Sequence, residues 1–478
     1  MADKKVKSIT SKQENLTKWY TDVCLKAELM DYAQSKGFIV YRPDGYALWE
    51  EIQHYVDKKF KAYGVRNVYL PSLIPMSLLD KEKEHVKGFA PECAVVTKGG
   101  DKTLAEPMVV RPTSETLFCD HFKDIVHSYN DLPIQYNQWC SVVRWEKTTR
   151  PFLRGSEFLW QELHALHETE VESREFALSI LRVYNELGRD LLAIPFVAGR
   201  KPASERFAGA KDTYTVEALM PDCQALQCGT THYLGTSFCE AYNIRYLNKE
   251  NKISYPHYTS CGISTRLLGA LIMVHGDDEG LVLPPHIAPT QVVIIPIRAD
   301  ADKAVLENCK LLKSKLEDNG VRVLLDNSNK TPGWKFAQYE MKGVPIRIEL
   351  GPKDLAKGQF MLTRRFDGTK LPISLDNPVE EIKNQLEEIH KGMYNKALNF
   401  LNDHIYEVHS FEELGKVITE GKGFAKMMTS NDSEEEVKIK EAFNATPRVL
   451  PFDQAPFADK DPITGKDADD VVYYARAY

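Results

Sequence analysis

Three prolines within nine residues, LVLPPHIAP (Leu281–Pro289), divide this chain in two. A proline ring removes a backbone donor and continues neither a helix nor a central strand, so the segment has to be a connection. The chain beyond it has a clear rhythm: VVIIPI, the stretch Ala301–Asp318, VRVLLD, the stretch Trp334–Lys342, and PIRIEL alternate β-rich and helical patterns. That β-α-β-α-β order predicts a small α/β unit with a largely parallel sheet. At 478 residues the chain is too long for one hydrophobic core, and two or three domains are expected.

Ahead of the proline segment the patterning is mixed. Trp19–Lys36 has helical apolar spacing, and Phe38–Tyr41 (FIVY) reads as a strand. Leu48, Ile52, Val56 and Phe60 give Gly45–Tyr63 a helical stripe, Gly64 stops it, and Val68–Leu70 reads as a strand running into Pro71. The apolar face of this 45–71 region is expected to bury against a second copy of the chain. Met108–Arg174 alternates short β-rich pieces with loops and enters a long helix near Leu159. Gly262–Met273 is a glycine-bearing entry into an apolar helix, and from Pro378 helical segments lead to an acidic tail ending VVYYARAY.

Composition excludes several classes. A net charge of −7 supplies no global basic field for non-specific nucleic-acid binding, though a local patch remains open. Nine cysteines, an odd number with no CxxC pair, fit a reduced intracellular setting better than a disulfide framework. The start, MADKKVKSITSKQENL, lacks the apolar core of a signal peptide. Ala270–Val274 and Val292–Ile297 are the longest apolar runs and are too short for a bilayer. A cytoplasmic protein with no membrane partner is the expectation.

Four constellations carry chemistry. In RPTSETL (Arg111–Leu117), Thr113 and Glu115 stand two apart, so on a strand they share a face. A carboxylate beside a hydroxyl suits a small ammonium group, while a helix cap is the alternative. In RWEKTTRPFLRGSEFLWQELH (Arg144–His164), Arg144 and Glu146 share a strand face and Arg154 returns on the next strand. Two arginines across a hairpin can grip phosphate oxygens by charge-assisted bonds; a salt-bridged exposed hairpin is the alternative. Trp145, Phe152, Phe158 and Trp160 argue for a walled site, with Phe158 placed either to stack on a base or to fill the core. QCGTTHYLG (Gln227–Gly235) is a glycine-bearing turn offering Gln227, Thr230 and His232; no second ligand makes His232 a metal site. In CGISTRLLGALIMVHGDDEGLVLPP (Cys261–Pro285), Arg266 opens an apolar helix whose N–H groups add to its pull on an anion, and Gly262 permits close approach. Neither a GxxxxGK[ST] loop nor a strand-borne GxGxxG is present.

In this order the constellations resemble the three motifs of class II aminoacyl-tRNA synthetases. RPTSET, QWCSVVRWE, PFLRGSEFLWQE and MVHGDDEGLVLPP are similar to the prolyl-specific, archaeal- and eukaryotic-type members, and the likeness runs from about Lys12 to the end. The resemblance implies an α+β catalytic domain (1–289) built on an antiparallel sheet with flanking helices. An α/β anticodon-binding domain (290–380) and a small α+β C-terminal domain (381–478) would follow. It implies a homodimer that joins proline to tRNA(Pro) with ATP and Mg²⁺, through a prolyl-adenylate. Arg144 and Arg266 would be the catalytic cations. Thr113, Glu115 and Arg144 would hold proline, with Trp160, Glu162, His164, Phe207 and His232 shaping the pocket and Phe89 and Glu92 on a closing loop. Glu146 would read adenine with Phe158 stacked on it. Arg154, Gln227, Thr230, Ser264 and Arg266 would hold phosphates and ribose, Gln227 also offering a contact to Mg²⁺. Gly155 and Cys261 stand where many relatives carry other residues.

TPGWKFAQYEMKGVPIRIELGPKD (Thr331–Asp354) resembles the anticodon-binding domain of this subgroup, which nominates Glu340, Arg347, Lys353 and Arg364 as anticodon contacts. Two departures matter. No cysteine follows Cys309, so the zinc-binding cysteine cluster of many relatives is absent and no zinc is expected. His164 and Gly262 stand 98 positions apart, which leaves no room for an inserted editing domain. The rival readings are a sister class II enzyme and a non-catalytic synthetase-like protein. The threonyl zinc ligands are missing, and the arginines that non-catalytic forms lose are present.

Overall fold

The computed structural model describes residues 9–80 and 93–478. Helix α1 (Leu16–Lys26) is shorter than its apolar spacing predicted. Glu28 adopts a positive φ of 61°, and Met30–Tyr32 then pairs antiparallel with Ile39–Tyr41. Helix α2 (Pro43–Ala62) starts on a proline, carries Asp44 in its first turn, and stops before Gly64, whose φ is +82°. Its stripe of Leu48, Trp49, Ile52, Val56 and Phe60 is buried inside this chain's own core, which corrects the expectation of a dimer face. Trp49 meets Trp139 and Phe60 meets Tyr184, with ring centroids 5.6 and 6.3 Å apart. Each such side chain contributes roughly 1.5–3 kcal/mol on burial. In the same region Tyr46, Tyr63 and Tyr69 are the exposed aromatic residues.

The strand expected at Val68–Leu70 is instead the two-residue β1 (Arg66–Asn67). Beyond it, Val68 and Leu70 direct their N–H groups to the Asn137 carbonyl and the Gln138 side chain, outside any ladder. Helix α3 (Glu115–Ile125) begins at Glu115, with Ser114 at its N-cap position, so the helix-start alternative describes this segment and the strand reading does not.

The catalytic sheet is assembled from β2 (Ile134–Val143), β3 (Glu157–His167), β4 (Val197–Arg200), β5 (Asp212–Leu219), β6 (Ala225–Gly235) and β7 (His257–Ser264). Two sequence expectations fail here. The region from Leu159 is a strand rather than a helix: Trp160, Glu162 and His164 line one face, and Gln161, Leu163 and Ala165 the other. The true helix, α4 (Glu170–Asp190), starts later, at a capping box between Thr169 and Glu172, and packs across the sheet through Phe176, Ile180, Tyr184 and Leu187. Gln227–Gly235 is no turn but the body of β6, where Gly229 faces Tyr184 and Ile263. Helix α5 (Arg266–His275) begins at Arg266, as expected.

The second unit follows its predicted order. Strands β8 (Val292–Pro296), β9 (Val323–Leu325), β10 (Ile346–Leu350), β11 (Gln359–Arg364) and β12 (Lys370–Ser374) form a sheet in the order β9-β8-β10-β11-β12. The pairs among β9, β8 and β10 are parallel, and those of β11 and β12 are antiparallel. Helices α6 (Lys303–Glu317) and α7 (Pro332–Met341) make the crossovers. Helix α8 (Pro378–Asp403) runs through the expected boundary at residue 380 and packs Ile382, Leu386, Ile389 and Met393 into this unit's core.

The tail is more than helical segments. Strands β13 (Ile405–Glu407), β14 (Phe424–Thr429), β15 (Thr446–Pro451) and β16 (Asp470–Ala475) extend the catalytic sheet itself. The result is eleven strands in the order β13-β14-β16-β15-β4-β5-β6-β7-β3-β2-β1. The join is β15 on β4, with Leu450 opposite Arg200 and Pro451 opposite Gly199. A Cβ added at Gly199 would come within 2.1 Å of the Leu450 carbonyl oxygen, so only glycine permits this approach.

Candidate active site

On one face of the sheet, alternate residues of four adjacent strands come into rows. His164 (β3) stands opposite Ser260 (β7), Ser260 opposite His232 (β6), and His232 opposite Thr213 (β5). One step along, Glu162, Gly262 and Thr230 form the next row. A bulge in the pairing of β5 with β6, between Val216 and Glu217, re-aims the strand end that carries Gln227. These rows floor a cavity of about 290 Å³. Its walls include Thr113, Glu115, Arg144, Phe158, Trp160, Glu162, His164, Phe207, Gln227, Thr230, His232, Ser264 and Arg266, all singled out from sequence.

Its cationic end is built at the sheet margin. Arg144 and Glu146 follow β2 in the loop to β3 rather than sharing a strand face, and Arg154 lies in the same loop, where Arg150 and Arg154 form an isolated bridge. Arg144 donates through Nε to the Pro112 carbonyl at 3.0 Å and lies 5.4 Å from the ring centres of both Phe158 and Trp160. Arg266 donates to the carbonyls of Leu153 and Gln227 at 3.2 and 3.5 Å. Burial lowers the pKa of both guanidiniums, Glu115 counters it at Arg144, and Arg154 deepens it at Arg266. Guanidinium nevertheless stays charged, so convergent cations here form a site for anions. Arg154 also reaches Glu146 at 3.6 Å. Glu146, Arg154 and Gly155 sit in this loop and do not line the cavity.

Beside these cations the cavity also carries acids. Thr113 donates to Glu115 at 2.5 Å, both buried at the start of α3. Glu162, in the floor itself, is fully engaged, accepting from Ser114 at 2.5 Å and Gln138 at 2.8 Å, with His164 at 3.3 Å. Burial pushes its carboxyl up, but those hydrogen bonds and the His164 charge outweigh burial and hold it below the usual range. His164 is fixed by Tyr258 at 2.5 Å and stacks on Phe118. His232 accepts or donates at Thr213 (3.0 Å) and packs on Phe207, ring centres 4.8 Å apart. Burial, with help from His164 and Lys201, lowers its pKa to about 3, so at neutral pH it is an uncharged wall. Burial also pushes the thiols of Cys228 and Cys261 up, and neither is a nucleophile.

Phe89 and Glu92 lie outside the described residues. Sequence reasoning missed Thr213, Ser260, Glu205 and Arg206, which line the cavity too. The alternation of polar residues in β5 and β7 was the available signal for the first two. Among the described residues no group of three His, Cys, Asp or Glu could hold a metal ion.

A second cavity, of about 310 Å³, lies against the second unit and is lined by Glu340, Arg347 and Arg364 together with Asp277 and Arg365. Arg347 pairs with Glu340 at 3.3 Å and Glu349 at 3.1 Å, over the face of Phe336. Lys353 sits on the short helix Pro352–Leu355 and does not line it. Among the described residues no helix is long and apolar enough to cross a membrane.

Comparison with known proteins agrees with this arrangement. Residues 99–275 match the tRNA synthetase class II core domain (G, H, P, S and T), and residues 291–385 match an anticodon binding domain. Residues 411–478 match the prolyl-tRNA synthetase C-terminal family. The whole chain is 53% identical to all of "Proline--tRNA ligase 2" from a strain of Bacillus cereus. It is 54% identical to all of the protein of the same name from Bacillus thuringiensis subsp. konkukian. Against "Proline--tRNA ligase" from Clostridium botulinum (strain Loch Maree) the identity is 53%, covering all of this chain and 99% of that protein.

Proposed function

The chain belongs to the prolyl-tRNA synthetase family, and from that premise we propose how its own residues join proline to tRNA(Pro). It is a proline–tRNA ligase with a class II core that uses ATP. The observation that carries the residue assignment is one cavity that brings Arg144 and Arg266 together with Glu115 and Thr113. An amino acid bound there meets a carboxylate for its ammonium and a guanidinium for its carboxylate.

In this reading Glu115 and Thr113 take the secondary ammonium of proline, and Trp160, Phe207 and neutral His232 enclose the ring. Glu162 and His164, locked by their hydrogen bonds, keep the floor rigid. Arg144 bridges the proline carboxylate and the α-phosphate of ATP. The carboxylate oxygen attacks the α-phosphorus in line, the bond to the bridging oxygen breaks, and pyrophosphate leaves. Arg144, Arg154 and Arg266 offset the charge that grows on the phosphoryl oxygens. A terminal ribose hydroxyl of tRNA then attacks the mixed anhydride and releases AMP. Glu146 and Phe158 take the adenine; Thr230, Ser264 and Gln227 take ribose and phosphate oxygens, with Gly155 leaving room in the loop. A wall of arginines with one neutral amide, Gln227, suits Mg²⁺ carried on the triphosphate, where it neutralises phosphate charge.

The enzyme is further read as a cytoplasmic homodimer, with 1–289 as catalytic domain and an anticodon-binding domain that runs from 290 to the end of α8 at Asp403. Glu340, Arg347 and Arg364 read splayed bases, with Lys353 on a neighbouring helix. The tail beyond α8 is read as holding together without zinc, because Asp461 accepts from Ser430, Ile463 and Thr464 and knits its loops. One stoichiometric zinc in elemental analysis, or a monomer mass in light scattering, would remove the corresponding statement. ATP–pyrophosphate exchange over a panel of amino acids tests the central reading. Exchange should depend on proline without tRNA, and exchange driven by another amino acid but not by proline would sink it.

A further inference from the structure

Resting on that reading, we propose that Arg448, carried by the tail, is a positioning residue for the proline end of the catalytic cavity. Arg448 is buried, and β15 brings it against the catalytic sheet beside Glu217 and Glu205. It pairs with Glu217 at 3.1 Å and approaches Glu205 at 3.8 Å. Glu217 is wholly buried and is also held by Lys201 at 2.8 Å. Two cations thus face two carboxylates, and the fourth member, Glu205, is the one that lines the cavity. Glu217 holds both Lys201 and Arg448, and Glu205, 3.8 Å from Arg448, is placed to offset the second cation.

Glu205 ends the short 3-10 turn Ala203–Glu205, two residues before Phe207. The Phe207 N–H donates to Thr213 Oγ1 at 3.1 Å, and the same hydroxyl meets His232 at 3.0 Å. A charge that fixes Glu205 therefore sets where Phe207 stands against His232, the wall assigned to the pyrrolidine ring. Arg448 touches none of the reacting groups itself. Its effect reaches the substrate through Glu205.

The test is ATP–pyrophosphate exchange by the full chain, titrated separately with proline and with ATP. Arg448→Met should raise the KM for proline by about tenfold and leave the KM for ATP within about twofold. Arg448→Lys, which keeps a cation near Glu205, should recover much of the change. Glu205→Gln is partly exposed and tolerable to the fold; it should give the same rise, and the double variant should add nothing further. An unchanged KM for proline in Glu205→Gln, or additive effects in the double variant, would overturn the inference. So would a fall in kcat with both KM values intact. If Arg448→Met does not fold, Glu205→Gln and Arg448→Lys decide. A parent enzyme without proline-dependent exchange would overturn the functional reading itself, which is a different result.

Discussion

Glu217, on strand β5 of the catalytic sheet, and Glu435, inside the tail, are both buried carboxylates driven in opposite directions. Burial pushes each of them up. At Glu217 the charges of Lys201 and Arg448 outweigh it and hold the carboxyl below the usual range. At Glu435 the neighbours are Asp461, Asp432 and Glu436, which add to burial and carry the pKa up to about 9. Asp461, which accepts from the backbone N–H groups of Ser430, Ile463 and Thr464, is held well below the usual range despite its own burial. Desolvation has one sign for every acid, and the charge standing next to it decides the outcome.

The largest expected effect tests the matched side. Glu217→Gln leaves Lys201 and Arg448 with only Glu205, 3.8 Å from Arg448, as an anion and should destabilise the fold by about 3–5 kcal/mol in urea unfolding. A loss below about 1 kcal/mol would mean that water or Glu205 already serves both cations, and the contrast would fail. Next comes the cavity, where charge has to be matched in shape as well as sign. Arg144→Lys keeps the charge and loses the planar fork, so proline-dependent exchange should fall by about 100-fold or more. Activity within a few-fold of the parent would show that Arg144 is not the bridge.

The unmatched side makes a smaller, pH-dependent difference. Because Glu435 is raised from its ordinary 4.5 to about 9, the folded chain binds its proton more tightly than the unfolded chain does. Its stabilising contribution is full below about 4.5 and is lost as pH rises through about 9. Glu435→Gln should accordingly melt higher than the parent at pH 9, the gap closing towards pH 5, and a gap that grows on acidification would reverse the assignment. The smallest expected effect is none at all. With a pKa of about 3, His232 should show ring-proton shifts in NMR that stay flat from pH 8 to pH 5, and a midpoint near its ordinary 6.5 would mean a wetter cavity.

Much of the site was legible because its chemistry demands particular residue types close together in sequence: Thr113 with Glu115, Arg144 with Arg154, and Arg266 at a helix start. What failed was conformation. Leu159, Leu163 and Leu166 stand four and three apart, a helical spacing, and they hid the period-two set Trp160, Glu162 and His164 that the neighbouring strands enforce. Thr113 and Glu115 meet at a helix start, not on a strand, yet still side by side. Thr213 and Ser260 belong to alternating polar sets, but only cross-strand register brings them into the site, and Arg448 arrives through β15 docking on β4, which leaves no local pattern. The stripe of α2 was read as an outer surface because periodicity reveals an apolar face and not what covers it.

The docking of β15 on β4 also sets an order of events in time. Arg200 finds its partner Leu450 only 250 residues further along the chain. At a ribosomal pace of about 5–20 residues per second, roughly 12–50 seconds pass between the emergence of the two. Throughout that interval the core made from the first half of the chain ends in an uncovered strand, the kind of edge to which other nascent chains attach. Cellular yield therefore depends on how this one edge is shielded during synthesis, and slow translation of residues 201–449 lengthens the exposure directly.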